Sequence, residues 1–180
     1  MSSEPGKTLL AIARHAIAQR LGDDAPAPDA AAFQKPGASF VTLTRSGRLR
    51  GCIGSLSPTR SLCDDVKANA LAAAFKDPRF PPLGALEWPD VKIEVSVLGA
   101  TEWRNCPSLA DAIAWLRPHR DGAILEDGGR RATFLPQVWE SLPDPNDFLA
   151  ELRRKAGMRS DTWPETMKVG RYPVLKYRET

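Results

Sequence analysis

The run Arg48-Leu49-Arg50-Gly51-Cys52-Ile53-Gly54-Ser55-Leu56 puts a guanidinium, a thiol and two glycines into one short extended stretch. Alternate residues of a strand face the same way, so Arg50, Cys52 and Gly54 are expected on one face and Leu49, Gly51 and Ile53 on the other. The Cα atoms of Arg50 and Cys52 would then lie about 7 Å apart, at a rise of roughly 3.3 Å per residue. A guanidinium at that range favours the thiolate, the form that attacks electrophiles, and flanking glycines leave room for an incoming group. The same residues also admit a purely architectural role. Free cysteine is among the most buried residue types, and glycines inside a strand mark bulges or close packing.

Two other places add charge in an unusual setting. Lys76-Asp77-Pro78-Arg79-Phe80-Pro81-Pro82-Leu83 carries three prolines in five positions, which stiffens the backbone. Such a loop presents Asp77, Arg79 and Phe80 either as the wall of a site or as a lock between neighbouring elements. In Val91-Lys92-Ile93-Glu94-Val95-Ser96-Val97-Leu98, Glu94 sits in the clearest strand of the chain. If both faces of that strand are covered, Glu94 needs a cation, and Arg50 is the obvious candidate. Removing Glu94 would then strand an arginine charge, at roughly 3–5 kcal/mol.

The elements that must hold these residues follow from periodicity. Leu9, Leu10, Ala13, Ala16, Ile17 and Leu21 recur at helical spacing over residues 5–21, and Gly22 is placed to stop the helix. The alanine- and proline-rich segment Asp23–Pro36 reads as a connector on which Phe33 can dock. Phe40–Thr44 and Leu49–Leu56 flank the Ser46-Gly47 turn signal and form a hairpin. Ser57-Pro58 supplies an N-cap and a first-turn proline for a helix running through Leu62, Val66, Ala70 and Ala73 to Phe75. Val91, Ile93, Val95 and Val97 share one strand face. Ser108 caps a helix ended by Pro118, and Asp127-Gly128-Gly129 turns a second hairpin between residues 121–125 and 131–135. Pro136–Trp139 starts a short helical turn. Asp144 or Asn146 caps the last helix, which Gly157 stops. Met167–Tyr177 is extended but interrupted by Pro173, so it is expected at a sheet edge. The reading is of a single domain, with a small subdomain within about 101–145.

Composition narrows the function classes. A chain of 180 residues with 42% hydrophobic and 26% charged residues can bury a full core and stay in solution. Its 25 basic and 22 acidic residues leave a formal net charge of +3, too weak and too mixed for an electrostatic footprint on nucleic acid. No apolar run reaches bilayer-spanning length, and the first twenty residues lack a secretory leader, so neither membrane nor export is expected and the cytoplasm is the natural compartment. Cys52, Cys63 and Cys106 are widely spaced, which argues against a disulfide framework and a structural zinc site. No phosphate-binding glycine loop or His-x-x-x-His ligand pair occurs, and neither metal nor cofactor is expected. A Cys-His dyad could draw only on His15 or His119.

Taken in order, these landmarks resemble the AMMECR domain family, whose bacterial and archaeal members are called AmmeMemoRadiSam system protein A. The residues carrying the likeness are Phe40-Val41-Thr42-Leu43, Leu49-Arg50-Gly51-Cys52-Ile53-Gly54, Ala73-Ala74-Phe75-Lys76-Asp77-Pro78-Arg79-Phe80-Pro81-Pro82-Leu83 and Ile93-Glu94-Val95-Ser96-Val97-Leu98. Gly128-Gly129-Arg130-Arg131, Phe134-Leu135-Pro136-Gln137-Val138 and Lys155-Ala156-Gly157 agree as well. The resemblance spans roughly residues 7–178. It implies an α+β fold, a mainly antiparallel sheet with packed helices and a smaller subdomain. It implies a functional centre at Arg50, Gly51, Cys52 and Gly54, joined by Asp77, Arg79, Phe80 and Glu94. It also implies association with a Memo-like dioxygenase-type protein and a radical-SAM protein. Where many members have a cysteine shortly before Lys-Ala-Gly, this chain has Leu152-Arg153-Arg154, so a second, partnering thiol is not expected there.

Two functions follow as expectations. In the first, a small molecule enters a pocket around Cys52, which acts as nucleophile or acid-base thiol. Arg50 and Glu94 then serve catalysis, and Gly51, Gly54, Asp77, Arg79 and Phe80 bind the ligand. In the second, the chain is a non-catalytic domain that docks a partner, and the Arg-Gly-Cys strand is architecture.

Overall fold

A computed structural model describes residues 4–180. Two compact units divide the chain, one built from residues up to Leu98 together with Leu175–Thr180, the other from Gly99–Val174.

In the first unit, α1 (Glu4–Arg20) buries Leu9, Ile12, Ala13 and Ile17, the stripe set by the helical spacing of the sequence. Gly22, at φ +100°, adopts the left-handed conformation that ends it. The connector that follows contains one 3-10 turn, Ala31–Phe33, and Phe33 packs on the core. β1 (Pro36–Arg45) then turns through Ser46 and Gly47, both at positive φ, into β2 (Arg48–Gly54). Two consecutive left-handed residues make the tight turn whose twist matches the flanking strands.

The hairpin pairs in antiparallel fashion, but not evenly. Cys52 faces Thr42 and Gly51 faces Leu43, after which Leu49 faces Thr44, so Arg50 is an extra residue on β2. This β-bulge breaks the simple alternation expected from the sequence. Residues directly opposite share a face. Leu49 therefore joins Cys52, Thr42 and Thr44 rather than Gly51.

The next element also departs from expectation. β3 (Arg60–Ser61) pairs with Pro36–Gly37 before α2 (Leu62–Phe75) begins. The N-cap is therefore Ser61 and not Ser57, because the chain must stay extended through residue 61 to complete that pairing. Ser61 Oγ accepts from the Asp64 amide at 3.1 Å and donates to the Asp64 carboxylate at 2.8 Å, which closes the first turn. β4 (Val91–Leu98) lies on the far side of β1 from β2, and residues 175–178 continue the layer beyond it. Val41, Leu43, Val91, Ile93 and Val95 face α1 and α2, where Val66, Ala70, Ala73 and Ala74 complete the core.

The second unit starts with β5 (Glu102–Asn105) and α3 (Leu109–Trp115), the latter capped by Ser108. β6 (Asp121–Asp127) and β7 (Arg130–Phe134) form a hairpin through Gly128 and Gly129, both at positive φ. α4 (Val138–Ser141) and α5 (Pro145–Lys155) follow; Asp144 caps α5 and Gly157 stops it at φ +72°. Trp139 and Phe148 stack at 3.6 Å between centroids in a core shared with Leu125, Leu149, Leu152, Met167 and Val169. β8 (Lys168–Arg178) is not the edge strand that Pro173 suggested. It has β5 on one side and β6 on the other. Pro173 is tolerated because it faces Asp121, the first residue of β6, so its missing N–H falls at the end of a ladder.

The architecture is α+β with a mainly antiparallel sheet and packed helices. Among the described residues no helix is long and apolar enough to cross a membrane.

Candidate functional site

β2 pairs with a strand on one side only, so the backbone groups of its outer edge need other partners. At Cys52 they find them in the proline-rich loop after α2. The Cys52 amide donates to Asp77 Oδ2 at 2.9 Å, and Arg79 Nη2 donates to the Cys52 carbonyl oxygen at 3.3 Å. Asp77 is buried and also accepts from the Arg79 amide, Nε and Nη2, at 3.1, 3.0 and 2.7 Å. The Arg79 guanidinium holds the Asp77 carboxyl well below the usual carboxylate range, and Asp77 in turn raises Arg79. A single Asp-Arg pair therefore grips both peptide groups of Cys52 and fixes the direction of its side chain.

That side chain leaves the face turned away from α1 and α2. Cys52 Sγ lies 3.2 Å from Thr42 Oγ1, and Thr42 is in register with Glu94 on its other side, so Cys52, Thr42 and Glu94 form one row across β2, β1 and β4. Cys52 is half-buried, whereas Cys63 and Cys106 are fully buried. Burial pushes the Cys106 thiol up, away from reactivity.

Arg50 points elsewhere. Displaced by the bulge and only 8% exposed, it donates from Nε and Nη2 to the two Glu87 oxygens, 3.0 Å each, and from Nη2 to the Pro81 carbonyl at 2.9 Å. Its guanidinium carbon lies 5.8 Å from the Phe80 ring centroid, and that of Arg79 lies 5.5 Å from it, so Phe80 sits between two cations. Glu87 also accepts from the Gly84 amide, and the Arg50 contact with this second bond lowers its carboxyl to about 2. The expected Arg50–Glu94 pair does not form. Glu94 pairs instead with the exposed Arg178, because its strand register places it opposite Thr42 while the bulge carries Arg50 to the 81–87 segment.

The two motif glycines answer to packing on opposite faces. A Cβ on Gly51 would stand 2.1 Å from the Ala73 carbonyl oxygen, so α2 approaches β2 as closely as a bare backbone allows. A Cβ on Gly54 would stand 2.2 Å from the Phe40 ring, which lies across the strand there.

Sequence reading missed Thr42 and Glu87, and it missed a buried polar cluster at the start of α2. Asp65 is fully buried and accepts from Ser39 N, Ser39 Oγ and Asn69 Nδ2 through one oxygen, and from Ser55 Oγ and Arg60 Nε through the other, all within 3.0 Å. The only signal was the i, i+4 spacing of Asp65 and Asn69 on an alanine-rich helix. His15 bonds the Ala25 carbonyl and His119 packs on Trp139. No cluster of three His, Cys, Asp or Glu side chains able to hold a metal occurs among the described residues.

A two-unit α+β chain with a clamped Arg-Gly-Cys edge strand and a proline-stiffened Asp-Pro-Arg-Phe loop defines a recognisable class. The chain belongs to the AMMECR1 family, whose model matches residues 10–177. It is 38% identical over 194 residues to a protein of Methanothermobacter thermautotrophicus, covering 99% of this chain and 96% of that one. Over 203 residues it is 36% identical to a protein of Thermofilum pendens, covering 100% and 92%. A crystal structure of an uncharacterized protein from Pyrococcus horikoshii superposes with a TM-score of 0.81 at 33% identity, covering 99% of this chain and 93% of that one.

Proposed function

We propose that the first unit carries a small-molecule site in which Cys52 is the working thiol, as nucleophile or acid-base group. The observation that supports this reading is the Cys52 geometry. The thiol stands on the face away from the helices, within hydrogen-bond distance of the Thr42 hydroxyl, and both peptide groups of its residue are held by Asp77 and Arg79. A hydroxyl so placed can donate to a thiolate, and Arg79 is the cation in contact with this residue. Arg50, Gly51, Gly54, Phe80 and Glu87 then serve as positioning residues, and Glu94 lines the same row as the thiol.

A second reading is favoured by one observation. Arg50 and Arg79 are already neutralised by Glu87 and Asp77, so neither presents unpaired charge to an anionic substrate. In that reading the motif is architecture and the chain is a docking domain for another protein, of the Memo-like or radical-SAM kind that the family resemblance implies.

Alkylation separates the two. Iodoacetamide at neutral pH should modify Cys52 faster than it modifies a free peptide thiol, with Cys63 and Cys106 unmodified in the folded chain. Thr42→Val should slow that reaction. Cys52 alkylation no faster than the peptide thiol, unchanged in Thr42→Val, would move the assignment to the docking domain.

A further inference from the structure

The outer face of the second unit's sheet collects charge and an aromatic ring that lie far apart in sequence. Asn105, Lys168, Glu126 and Arg131 stand opposite one another across β5, β8, β6 and β7 and therefore share a face. Two residues along each of the first two strands, on the same face, Trp103 is opposite Gly170. A Cβ on Gly170 would come within 3.2 Å of the Trp103 ring, so the indole lies flat on bare backbone. The ring is nevertheless 43% exposed, unusual for a tryptophan in a folded sheet. These residues, with Arg104, line a groove of about 600 Å³, within the size range of small-ligand sites.

The charges of the groove are not balanced internally. Arg131 reaches over the indole, 5.6 Å from its centroid, and pairs loosely with Glu126 at 3.6 Å. Lys168 forms no ion pair among the described residues. Arg104 is held only against the Trp115 ring, at 5.3 Å. Three cations thus surround one carboxylate and an exposed indole anchored from below.

We propose that this groove binds a nucleoside monophosphate. The Trp103 indole stacks with the base, Lys168 and Arg131 take the phosphate, and Glu126 with Asn105 offers an acceptor and an amide to the sugar hydroxyls. Each part of such a ligand meets a matching group: a flat π surface, an excess of cations, and hydrogen-bonding side chains in the same strand row. The limited volume and the balanced charge of the whole chain favour a single nucleotide over a nucleic-acid strand. The site lies wholly within the second unit and uses none of the Cys52 residues, so it stands or falls separately from the thiol reading.

The test is calorimetric titration of the full chain with adenosine 5′-monophosphate, paralleled by the Trp103 indole N–H signal in nuclear magnetic resonance. Binding should be saturable, should weaken as salt rises, and should move that signal. Trp103→Ala and Lys168→Glu should each weaken binding by about tenfold or more, and Cys52→Ala should leave it unchanged. Lys168 is exposed, so its variant tests the site even if Trp103→Ala perturbs the sheet. Inorganic phosphate binding as tightly as the nucleotide would overturn the proposal, because the indole would then contribute nothing. So would absence of saturation at millimolar nucleotide, or binding of an oligonucleotide without binding of the monomer.

Discussion

Replacing Glu87 by alanine isolates what the bulged Arg50 requires. The guanidinium is 8% exposed, makes two 3.0 Å bonds to Glu87, and keeps a buried Nη1 with no partner. Without the carboxylate, only the Pro81 carbonyl remains to it. Breaking a buried pair in this way costs about 3–5 kcal/mol. A second route to the magnitude is the Glu87 carboxyl itself. Its fall from 4.5 to about 2, at about 1.4 kcal/mol for each tenfold, corresponds to about 3 kcal/mol. The Glu87 side chain is 27% exposed, and water entering beside it screens part of this, leaving about 2 kcal/mol. Since the folded value is depressed, the contribution is complete above pH 4.5 and is lost as pH falls toward 2. Native-state hydrogen exchange at the Val41 and Leu43 amides reads the first unit alone. At pH 7 Glu87→Ala should lower their protection by about 2 kcal/mol, and at pH 3 by clearly less. Glu94→Ala should cost under about 1 kcal/mol, because its partner Arg178 is an exposed side chain. Equal losses from the two variants, or a Glu87→Ala cost independent of pH, would refute the assignment of Arg50 to Glu87.

The remaining expectations concern the packing around the site. Gly51→Ala must displace α2 or β2, since the collision is with a backbone oxygen, and should cost about 3 kcal/mol or more by denaturant unfolding. A loss below about 1 kcal/mol would show that the helix is free to withdraw. Asp65→Asn turns one of two fully used acceptor oxygens into a donor facing donors, and should destabilise the first unit by about 2–4 kcal/mol. Exchange protection of the Ser39 and Val41 amides unchanged in that variant would contradict it.

Much of the scaffold was legible in the chain itself. The α1 stripe, the Ser46-Gly47 and Gly128-Gly129 turns, the alternation of Val91–Leu98 and the caps at Ser108 and Asp144 are local signals, each set by residues a few positions apart. The family likeness rested on the same stretches. What tertiary structure alone decided is register and partner. The insertion of Arg50 as a bulge depends on how β1 and β2 slide against each other, and it redirected Arg50 to Glu87 and put Leu49 beside Cys52. The cap at Ser61 depends on β3 closing on residues 36–37, and the central place of β8 depends on where Pro173 falls along the ladder. Asp65 acquired its donors from β1, from the segment after β2 and from its own helix. Such choices are made by contacts between residues distant in sequence. Charge type and spacing can announce that Arg50 and Glu94 each need a partner; only the register of the strands determines which one each of them meets.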